Sequence, residues 1–265
     1  MERSPTMERT GASRSLWMAT ADPPVFAPLS ADAHARVCVV GAGIAGLSTA
    51  YRLAKAGLDV VVLDESDLHG GQTARTTGHL CDALDDRWFE LEQLHGVEGA
   101  RLAAHSHAVA IDTIERICRD EEIECGFARC DGYLVRGEGD NRLGLLDHEY
   151  EAAVRAGVDV ERVPAPPGAM ACFGDALLFK HQARFHSLDY LSGLARAVVR
   201  NGGRIHTGTR ACASSRANAS ALSASASCAC IPISIKAYCS IASNAIRCAL
   251  ASSKPDSSSR SRKLL

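Results

Sequence analysis

The sequence lacks the features that mark a membrane, secreted or nucleic-acid-binding protein. No apolar run reaches the roughly 18 residues that a transmembrane helix needs. The N-terminus has no basic segment followed by an apolar core and a small-residue cleavage site, so secretion is not expected. The formal net charge of −2 gives no electrostatic reason to expect a nucleic acid or an anionic membrane as a partner. We therefore expect a cytoplasmic protein.

The 11 cysteines also lack the spacing of a metal site. Those that precede residue 211 form no Cys-x-x-Cys pair and no cluster with histidine at metal-ligand spacing. Cys38 lies inside a predicted strand, where it is expected to be a small buried hydrophobic residue. The simplest interpretation is a set of reduced thiols in a cytoplasmic protein, with no bound metal.

Glycine is missing from the end of the chain. All 22 glycines lie in the first 210 residues, whereas residues 211–265 hold 15 serines, 13 alanines and one acid, Asp256. Ile231, Ile233 and Ile235 alternate as in a strand, but Pro232 weakens this segment as an interior strand. We expect a disordered or aberrant tail: either a natural low-complexity segment, or an out-of-frame sequence in place of the true continuation.

What the sequence does contain, from Arg36 to Ser66, is the pattern of a dinucleotide-binding βαβ unit. An apolar run (Val37–Val40) leads into a glycine-rich turn and a helix, and a second apolar run (Val60–Leu63) ends at Asp64. A lone G-x-G-x-x-G motif is weak evidence, but here both strands, the helix and the acid are in register with it. The pattern predicts an α/β fold with a Rossmann-like FAD/NAD(P)-binding domain.

Each residue type in this unit has a physical role. Gly41 permits the tight turn out of the strand, Gly43 lets the backbone approach a pyrophosphate, and Gly46 lets the helix pack closely on the strands. The helix N-terminus presents free N–H groups and its positive dipole end to the phosphates. Asp64 stands where a carboxylate accepts hydrogen bonds from ribose hydroxyls.

A polar loop from Asp67 to Leu80 follows this unit, and two interpretations of it stay open. Its hydrogen-bond donors lie close in sequence to the nucleotide-binding acid, which favours a second phosphate-contacting loop. Composition alone is equally consistent with a hydrophilic surface loop. The candidate residues in this loop are Gly71, Thr73, Arg75, Thr76 and Thr77.

Periodicity predicts the remaining elements. Residues 1–35 have no periodicity and are expected to be flexible or draped over the surface, with Trp17 and Phe26 as docking points. Helices are predicted over residues 88–122, 145–156 and 187–200, and strands over 131–137, 158–163, 176–180 and 204–208. The acidic run Asp120 to Glu122 is expected to be a solvated helix end, although acids there oppose the helix dipole.

Several motifs together resemble the FAD-dependent oxidoreductases of the D-amino-acid-oxidase-like class, most closely a bacterial group with a C-terminal Rieske iron–sulfur domain. They are G-A-G-I-A-G-L-S-T-A-Y-R-L-A-K-A-G, V-V-V-L-D-E, G-Q-T-A-R-T-T-G-H-L, S-H-A-V-A-I-D-T-I-E-R-I, D-G-Y-L-V and F-H-S-L-D-Y-L-S-G-L-A. The resemblance covers about residues 15–210. It implies a discontinuous FAD-binding domain (36–125 and 186–210), a partial α+β substrate domain (126–185), a leader (1–35) and the tail (211–265).

The resemblance also implies a cofactor and its site. FAD would be bound by Gly41, Gly43, Gly46, Asp64 and Glu65 at its adenosine half, and by Gly71, Thr73, Arg75, Thr76 and Thr77 near the pyrophosphate and flavin. Some relatives attach FAD covalently through a histidine in this loop, and because Arg75 occupies that position the resemblance implies non-covalent FAD. The C-x-H and C-x-x-H pairs of a Rieske centre are absent from the sequence, so no iron–sulfur cluster is expected in this chain.

The implied function is oxidation of an amine or amino-acid-like small molecule by hydride transfer to flavin, with oxygen or a separate electron acceptor taking the electrons. No catalytic residue is predicted. His79, His181 and His186 are possible active-site neighbours, but surface or satisfied core histidines are the simpler interpretation. Because the motifs of the later substrate domain are missing, two alternatives stay open. One is a non-catalytic NAD- or FAD-binding module, and the other is an inactive fragment.

Overall fold

The computed structural model describes residues 13–68, 70–83, 86–136, 144–213, 221–226 and 229–235. The helices are α1 (Leu16–Thr20), α2 (Ile44–Lys55), α3 (Trp88–Asp120), α4 (Leu145–Ala156) and α5 (Ser187–Arg200), with short 3₁₀ helices at Gln72–Arg75 and Gly168–Phe173. The strands are β1 (Ala33–Ala35), β2 (Val37–Val40), β3 (Val60–Leu63), β4 (His79–Leu80), β5 (Ala128–Val135), β6 (Val160–Val163), β7 (Ala176–Arg184), β8 (Arg204–His206), β9 (Arg210–Ala213), β10 (Ala221–Ala226) and β11 (Ala229–Ile235).

A parallel sheet in the order β2-β3-β8 forms the centre of the predicted βαβ unit. Apolar residues of β2 and β3 pack on one face against α2 and α5, and residues of the other face pack against Leu29, Ala33 and Ala35. All four residues of β3 are buried because both faces of the sheet are covered. This explains why β3 has an unbroken run of branched apolar residues rather than an alternating pattern.

A second, antiparallel sheet is formed by β4, β5, β6 and β7, with β7 paired to each of the other three. Helices α3 and α4 cover it around a separate core that includes Trp88 and Phe179. The pairing of β5 with β7 shifts between Cys130 and Gly132, and the extra residue lies in β7, where His181 has a φ of +62°. Strands β5, β6 and β7 and helix α4 lie within residues 126–185, the range expected for the partial substrate domain, whereas β4 and α3 lie in the range expected for the FAD-binding domain.

Strands β1, β11, β10 and β9 form a third sheet in that order. Part of the glycine-free tail is therefore paired, and residues 236–265 lie outside the described residues. Strand β11 lies between β1 and β10 although it contains Pro232. Pairing with β1 is limited to Ile233, Ser234 and Ile235, so Pro232, which lacks a backbone N–H, has a neighbouring strand on one side only.

The segment before β1 follows the surface of the protein from residue 13 onward. Ser15 caps α1 and its hydroxyl donates to the carbonyl of Ala74 at 2.6 Å, while the indole Nε1 of Trp17 donates to the carbonyl of Thr76 at 2.7 Å. Trp17 and Phe26 both pack against the main core, as the sequence predicts for its two docking points. Residues 1–12 lie outside the described part of the chain.

Glu121 departs from the expectation of a solvated helix end. Its side chain is only 11% exposed, and it accepts hydrogen bonds from Tyr51 Oη at 2.6 Å and from Arg200 at 2.8 Å. Lys55 also donates to Tyr51 Oη and to Glu121. Burial alone would raise the pKa of Glu121, but these hydrogen bonds hold it below its usual value. Glu121 thus joins the ends of α2, α3 and α5. The prediction that the acidic run is a solvated helix end was wrong for this residue.

Glu149 is a fully buried carboxyl group on α4. Among the described residues, neither of its oxygens has a hydrogen-bond partner of good geometry. Burial raises its pKa, and the backbone N–H groups of Phe89 and Trp88 at the start of α3 offset only part of that effect. The folded state therefore binds a proton at Glu149 more tightly than the unfolded chain does.

Replacement of Glu149 by glutamine is expected to stabilise the protein at neutral pH. When folding raises the pKa of a carboxyl group, the free energy of unfolding of the protein falls as the pH rises from the unfolded-state pKa through the folded-state pKa. Glutamine does not ionise, so E149Q avoids this loss. We expect E149Q to gain about 1 kcal/mol over the natural protein at about pH 7.5, and little below about pH 4. Urea unfolding at both pH values measures this gain. E151Q, at an exposed glutamate of the same helix, should show no such pH-dependent gain, and an equal effect of E149Q at both pH values would contradict the account.

No helix in the described ranges combines the length and the apolar character that crossing a membrane requires.

Candidate nucleotide-binding site

The glycine turn after β2 is shaped by contacts that only glycine allows. Gly41 has a φ of +99°, and its N–H donates to the carbonyl of Leu63 at 2.8 Å. A Cβ atom on Gly46 would lie 1.9 Å from the carbonyl oxygen of Gly41, well inside the sum of van der Waals radii. Gly46 therefore lets the first turn of α2 lie directly against the turn that leaves β2, as the sequence predicts.

Asp64 holds this turn from the end of the neighbouring strand. One carboxylate oxygen, Oδ2, accepts the N–H of Ala42 at 2.6 Å, and the other, Oδ1, accepts the N–H and hydroxyl of Ser66, each at 2.8 Å. The backbone of Asp64 is fixed as well, because its N–H donates to His206 and its carbonyl accepts from Thr209. A carboxylate has about four acceptor positions, so Oδ2 keeps capacity for one more donor.

Thr73 closes the site from the loop that follows β3. Its hydroxyl oxygen accepts the N–H of Ile44, the first residue of α2, at 3.1 Å. A Cβ atom on Gly43 would lie 3.5 Å from the same hydroxyl oxygen, so glycine leaves the space between the loop and the helix open. The carbonyl of Thr73 accepts the hydroxyl of Ser187 at 2.9 Å, which fastens the loop to the start of α5.

The structure thus brings the glycine turn, Asp64 and Thr73 together around the N-terminus of α2. The N–H groups in the first turn of any helix have no partner within the helix, and the dipole there favours an anion. Asp64 lies beside this turn, at the carboxyl end of a parallel strand, where ligands of open α/β sheets bind. The arrangement can hold a diphosphate at the helix and a hydroxyl group at the carboxylate.

The remaining predicted site residues contact other parts of the chain or are exposed to solvent. Arg75 donates from NH1 to the carbonyl of Ser13 at 2.9 Å, and the carbonyl of Thr76 accepts from Trp17. Thr77 is exposed, and Glu65 is paired with Arg210 at 2.9 Å. Gly71 directly precedes the 3₁₀ helix that carries Thr73 and Arg75.

The three candidate histidines are placed by the structure as follows. His186 caps α5: its Nδ1 accepts the N–H of Asp189 at 3.2 Å, its Nε2 lies 2.8 Å from the hydroxyl of Thr20, and its ring packs edge-on against Trp17. His181 is exposed and lies 3.1 Å from a carboxylate oxygen of Asp159. His79 is exposed on β4. Within the described ranges, no group of three histidine, cysteine, aspartate or glutamate residues has the geometry to hold a metal ion.

Sequence reasoning missed two residues that shape the site. The sequence pattern marks Ser187 only as the first residue of a helix, and Ser66 only as the end of the βαβ unit. A serine two residues after an aspartate at a strand end is a signal for a side chain that bonds back to the carboxylate, and it was available for Ser66. No local signal connects Ser187 to Thr73, because 114 residues separate them.

Comparison with known proteins gives a family and several relatives. The family model for FAD dependent oxidoreductase (DAO) matches residues 36–230, which is 20 residues beyond the end that the sequence motifs suggested. The chain is 33% identical over 203 residues to YhfW of Bacillus subtilis (strain 168), which is named for a Rieske 2Fe-2S centre. It is 29% identical over 187 residues to the gamma-glutamylputrescine oxidoreductase of Escherichia coli (strain K12). These alignments cover 76% and 68% of this chain, but the chain spans only 39% and 43% of the two relatives.

Solved structures share the fold. The L-amino acid deaminase of Proteus myxofaciens superimposes with a TM-score of 0.64 at 14% identity, covering 83% of this chain and 48% of that protein. The glycine oxidase of Geobacillus kaustophilus superimposes with a TM-score of 0.61 at 15% identity, covering 77% of this chain and 54% of that protein. The family model spans most of the chain and includes the glycine turn, Asp64 and Thr73. The chain therefore belongs to the family of FAD-dependent oxidoreductases.

Proposed function

We propose that this chain forms the FAD-binding part of an oxidoreductase that acts on an amine or amino-acid-like small molecule. The observation that carries the proposal is the convergence of Asp64, the glycine turn and Thr73 on the N-terminus of α2. When bound, FAD supplies the hydride acceptor for oxidation of a carbon that bears an amine. The residues of this chain bind and orient the cofactor.

The geometry suits the adenosine diphosphate half of FAD. The N–H groups in the first turn of α2 other than that of Ile44, which donates to Thr73, would bind the pyrophosphate, and the missing side chain at Gly43 leaves room for it. Oδ2 of Asp64 would accept one ribose hydroxyl while it keeps its hydrogen bond from Ala42. The fit therefore rests on a space that a Cβ atom would fill and on a carboxylate with remaining acceptor capacity.

The rest of the predicted set belongs to the same proposal. Gly71, Arg75, Thr76 and Thr77 would lie towards the flavin side of the site, and Glu65 towards the adenosine side. Non-covalent binding is proposed because Arg75 occupies the position from which a histidine would form the covalent bond. No iron–sulfur cluster is proposed for this chain, and a separate protein or domain would accept the electrons if oxygen does not. A cytoplasmic location is part of the same proposal.

The substrate class follows from the relatives and not from this site. Their names include glycine oxidase, L-amino acid deaminase and gamma-glutamylputrescine oxidoreductase, all of which point to amines or amino acids. The chain spans about half or less of each of these proteins. In these relatives, the part that the chain does not span would therefore hold most of the residues that select the substrate.

Titration of purified protein with FAD and with NAD tests the cofactor. A protein that retains yellow flavin, or that binds added FAD in preference to NAD, would support the proposal. A preference for NAD would favour the alternative of a dinucleotide-binding module without flavin chemistry. A cooperatively folded, colourless protein whose melting temperature does not respond to FAD would contradict FAD binding.

Replacement of Thr73 by valine is expected to weaken FAD binding by about fivefold to tenfold. Valine keeps the shape of threonine but removes the oxygen that accepts the N–H of Ile44, a hydrogen bond worth about 1 kcal/mol. Quenching of flavin fluorescence on titration measures the dissociation constant. T49V is the matched control, because Thr49 lies on α2, the helix that Thr73 contacts, and its hydroxyl donates to the carbonyl of Ala45 one turn earlier in α2. Equal affinities for T73V and T49V would show that the loop does not shape the site.

A further inference from the structure

Two cysteines that the proposed FAD site does not use lie side by side in the main core. The Sγ atoms of Cys118 and Cys125 are 3.5 Å apart, and both residues are buried. Cys118 belongs to the last turn of α3, and Cys125 lies in the connection to β5. Both are free thiols in the structure. A disulfide has an S–S distance of about 2.0 Å, so the two sulfur atoms must approach each other by about 1.5 Å to bond.

The backbone between them explains why the pair forms. The N–H of Ile123 donates to the carbonyl of Cys118 at 2.8 Å, and the N–H of Glu122 points to the carbonyl of Arg119 at 3.4 Å. With a φ of +53° at Glu122, these bonds form a Schellman motif at the end of α3. The motif turns the chain back across the end of the helix, which places Cys125 over Cys118.

The two thiols differ in chemical character. The hydrogen bond between them lowers the pKa of Cys125, against the opposing effect of burial. The same hydrogen bond, with burial, raises the pKa of Cys118. These directions favour Cys125 as the attacking thiol and Cys118 as the resolving thiol, while the disulfide itself follows from the 3.5 Å approach of the two sulfur atoms, whichever reacts first.

We propose that Cys118 and Cys125 are a redox-modification site at which hydrogen peroxide forms a disulfide between the end of α3 and the segment that leads to β5. The Cys125 thiolate attacks one peroxide oxygen, the O–O bond breaks, and hydroxide leaves and takes up a proton to form water. The sulfur of Cys118 then attacks the resulting sulfenic acid, its proton leaves with the displaced hydroxide as a second water, and the S–S bond forms. Two thiols lose two electrons, and one peroxide is reduced to two waters.

The link would act on the edge of the nucleotide-binding site. The carbonyl of Cys125 accepts the N–H of His186, the capping residue of α5, at 2.7 Å. The next residue, Ser187, donates to the carbonyl of Thr73. A disulfide would thus fix the end of α3 to the backbone that holds the start of α5, and reduction would release it. The inference does not depend on FAD, since it concerns only the thiols and their geometry.

Peptide mapping of peroxide-treated protein tests the proposal. Trypsin cleaves after Arg116, Arg119 and Arg129, so the two cysteines fall on the separate peptides 117–119 and 120–129. Treatment with hydrogen peroxide, unfolding, alkylation of remaining thiols and digestion should yield these peptides joined by a disulfide. C172S, at an exposed cysteine far along the chain, should give the same joined peptide, while C118S and C125S should not.

Thermal unfolding gives a second measurement that needs no variant. The oxidised protein should melt at least about 3 °C above the reduced protein, and a thiol reductant should reverse the shift. Recovery of Cys118 and Cys125 as alkylated thiols under conditions that oxidise Cys172 would overturn the proposal. So would their recovery as sulfinic or sulfonic acids, or in disulfides with other cysteines.

Discussion

Replacement of Gly46 by alanine is expected to unfold the parallel sheet and its helices. The new Cβ would lie 1.9 Å from the carbonyl oxygen and 3.0 Å from the carbonyl carbon of Gly41. That peptide cannot move away freely, because the N–H of Gly41 is bonded to Leu63 and the next N–H is bonded to Asp64. We expect a loss of at least about 3 kcal/mol in the free energy of unfolding, measured by urea unfolding, with loss of FAD binding.

The control for this variant is alanine at Gly57, just after α2. Gly57 has a φ of +78°, but a Cβ there would meet no atom within 4 Å. G57A therefore tests backbone strain without a steric clash, and it should lower the free energy of unfolding by about 1 kcal/mol. A G46A protein as stable as G57A would show that the glycine turn and α2 are not packed as described.

Replacement of Asp64 by asparagine is expected to weaken FAD binding by about tenfold to 100-fold and to lower the free energy of unfolding by about 1.5 to 3 kcal/mol. The carboxylate accepts three hydrogen bonds, from Ala42 and from the N–H and hydroxyl of Ser66. An asparagine of the same shape turns an NH₂ group towards one of these donors and removes the charge that strengthens the bonds. Flavin titration and urea unfolding measure the two effects separately.

Asp59 offers a matched control at the other end of the same strand. It is half exposed and paired with Arg204 at 2.8 Å, an interaction that solvent largely screens. D59N should change stability by less than about 1 kcal/mol and leave FAD binding unchanged. If D64N and D59N behaved alike, Asp64 would be an ordinary surface carboxylate and the proposed ribose contact would be wrong.

The elements of the fold were largely accessible from sequence because their signals are local. Helix α4 and helix α5 begin and end at the residues that apolar periodicity predicts, 145–156 and 187–200. Gly157 has a φ of +84° after α4, as expected for a C-terminal capping glycine. The long helix α3 was also predicted, but not the break at Gly96, where φ is +72° and ψ is 170°.

The partners of charged residues could not be predicted from the sequence in the same way. The acidic neighbours of Glu121 in the sequence indicate a solvated helix end. Its actual partners, Tyr51 and Arg200, lie 70 and 79 residues away. Such contacts depend on how the helices pack against one another, so local sequence patterns do not predict them.

For the candidate site, the sequence indicates which positions to consider but not the contacts that they make. The glycine pattern and Asp64 were recognisable because strand, turn and helix impose fixed spacing. That Asp64 holds the turn through Ala42, and that Thr73 lies on the N-terminus of α2, depends on how the following loop folds back. The composition of this loop is consistent with a phosphate-contacting loop and equally with a solvent-exposed one. In the structure, Thr73 contacts the N-terminus of α2, whereas Thr77 is exposed.

A crystal structure of this chain grown with FAD would show whether the N-terminus of α2 binds the cofactor. We expect the pyrophosphate within hydrogen-bond distance of N–H groups at the start of α2, with a ribose hydroxyl on Oδ2 of Asp64 and Thr73 beside the phosphates. FAD bound elsewhere on the protein, or a pyrophosphate more than about 4 Å from the first turn of α2, would contradict it.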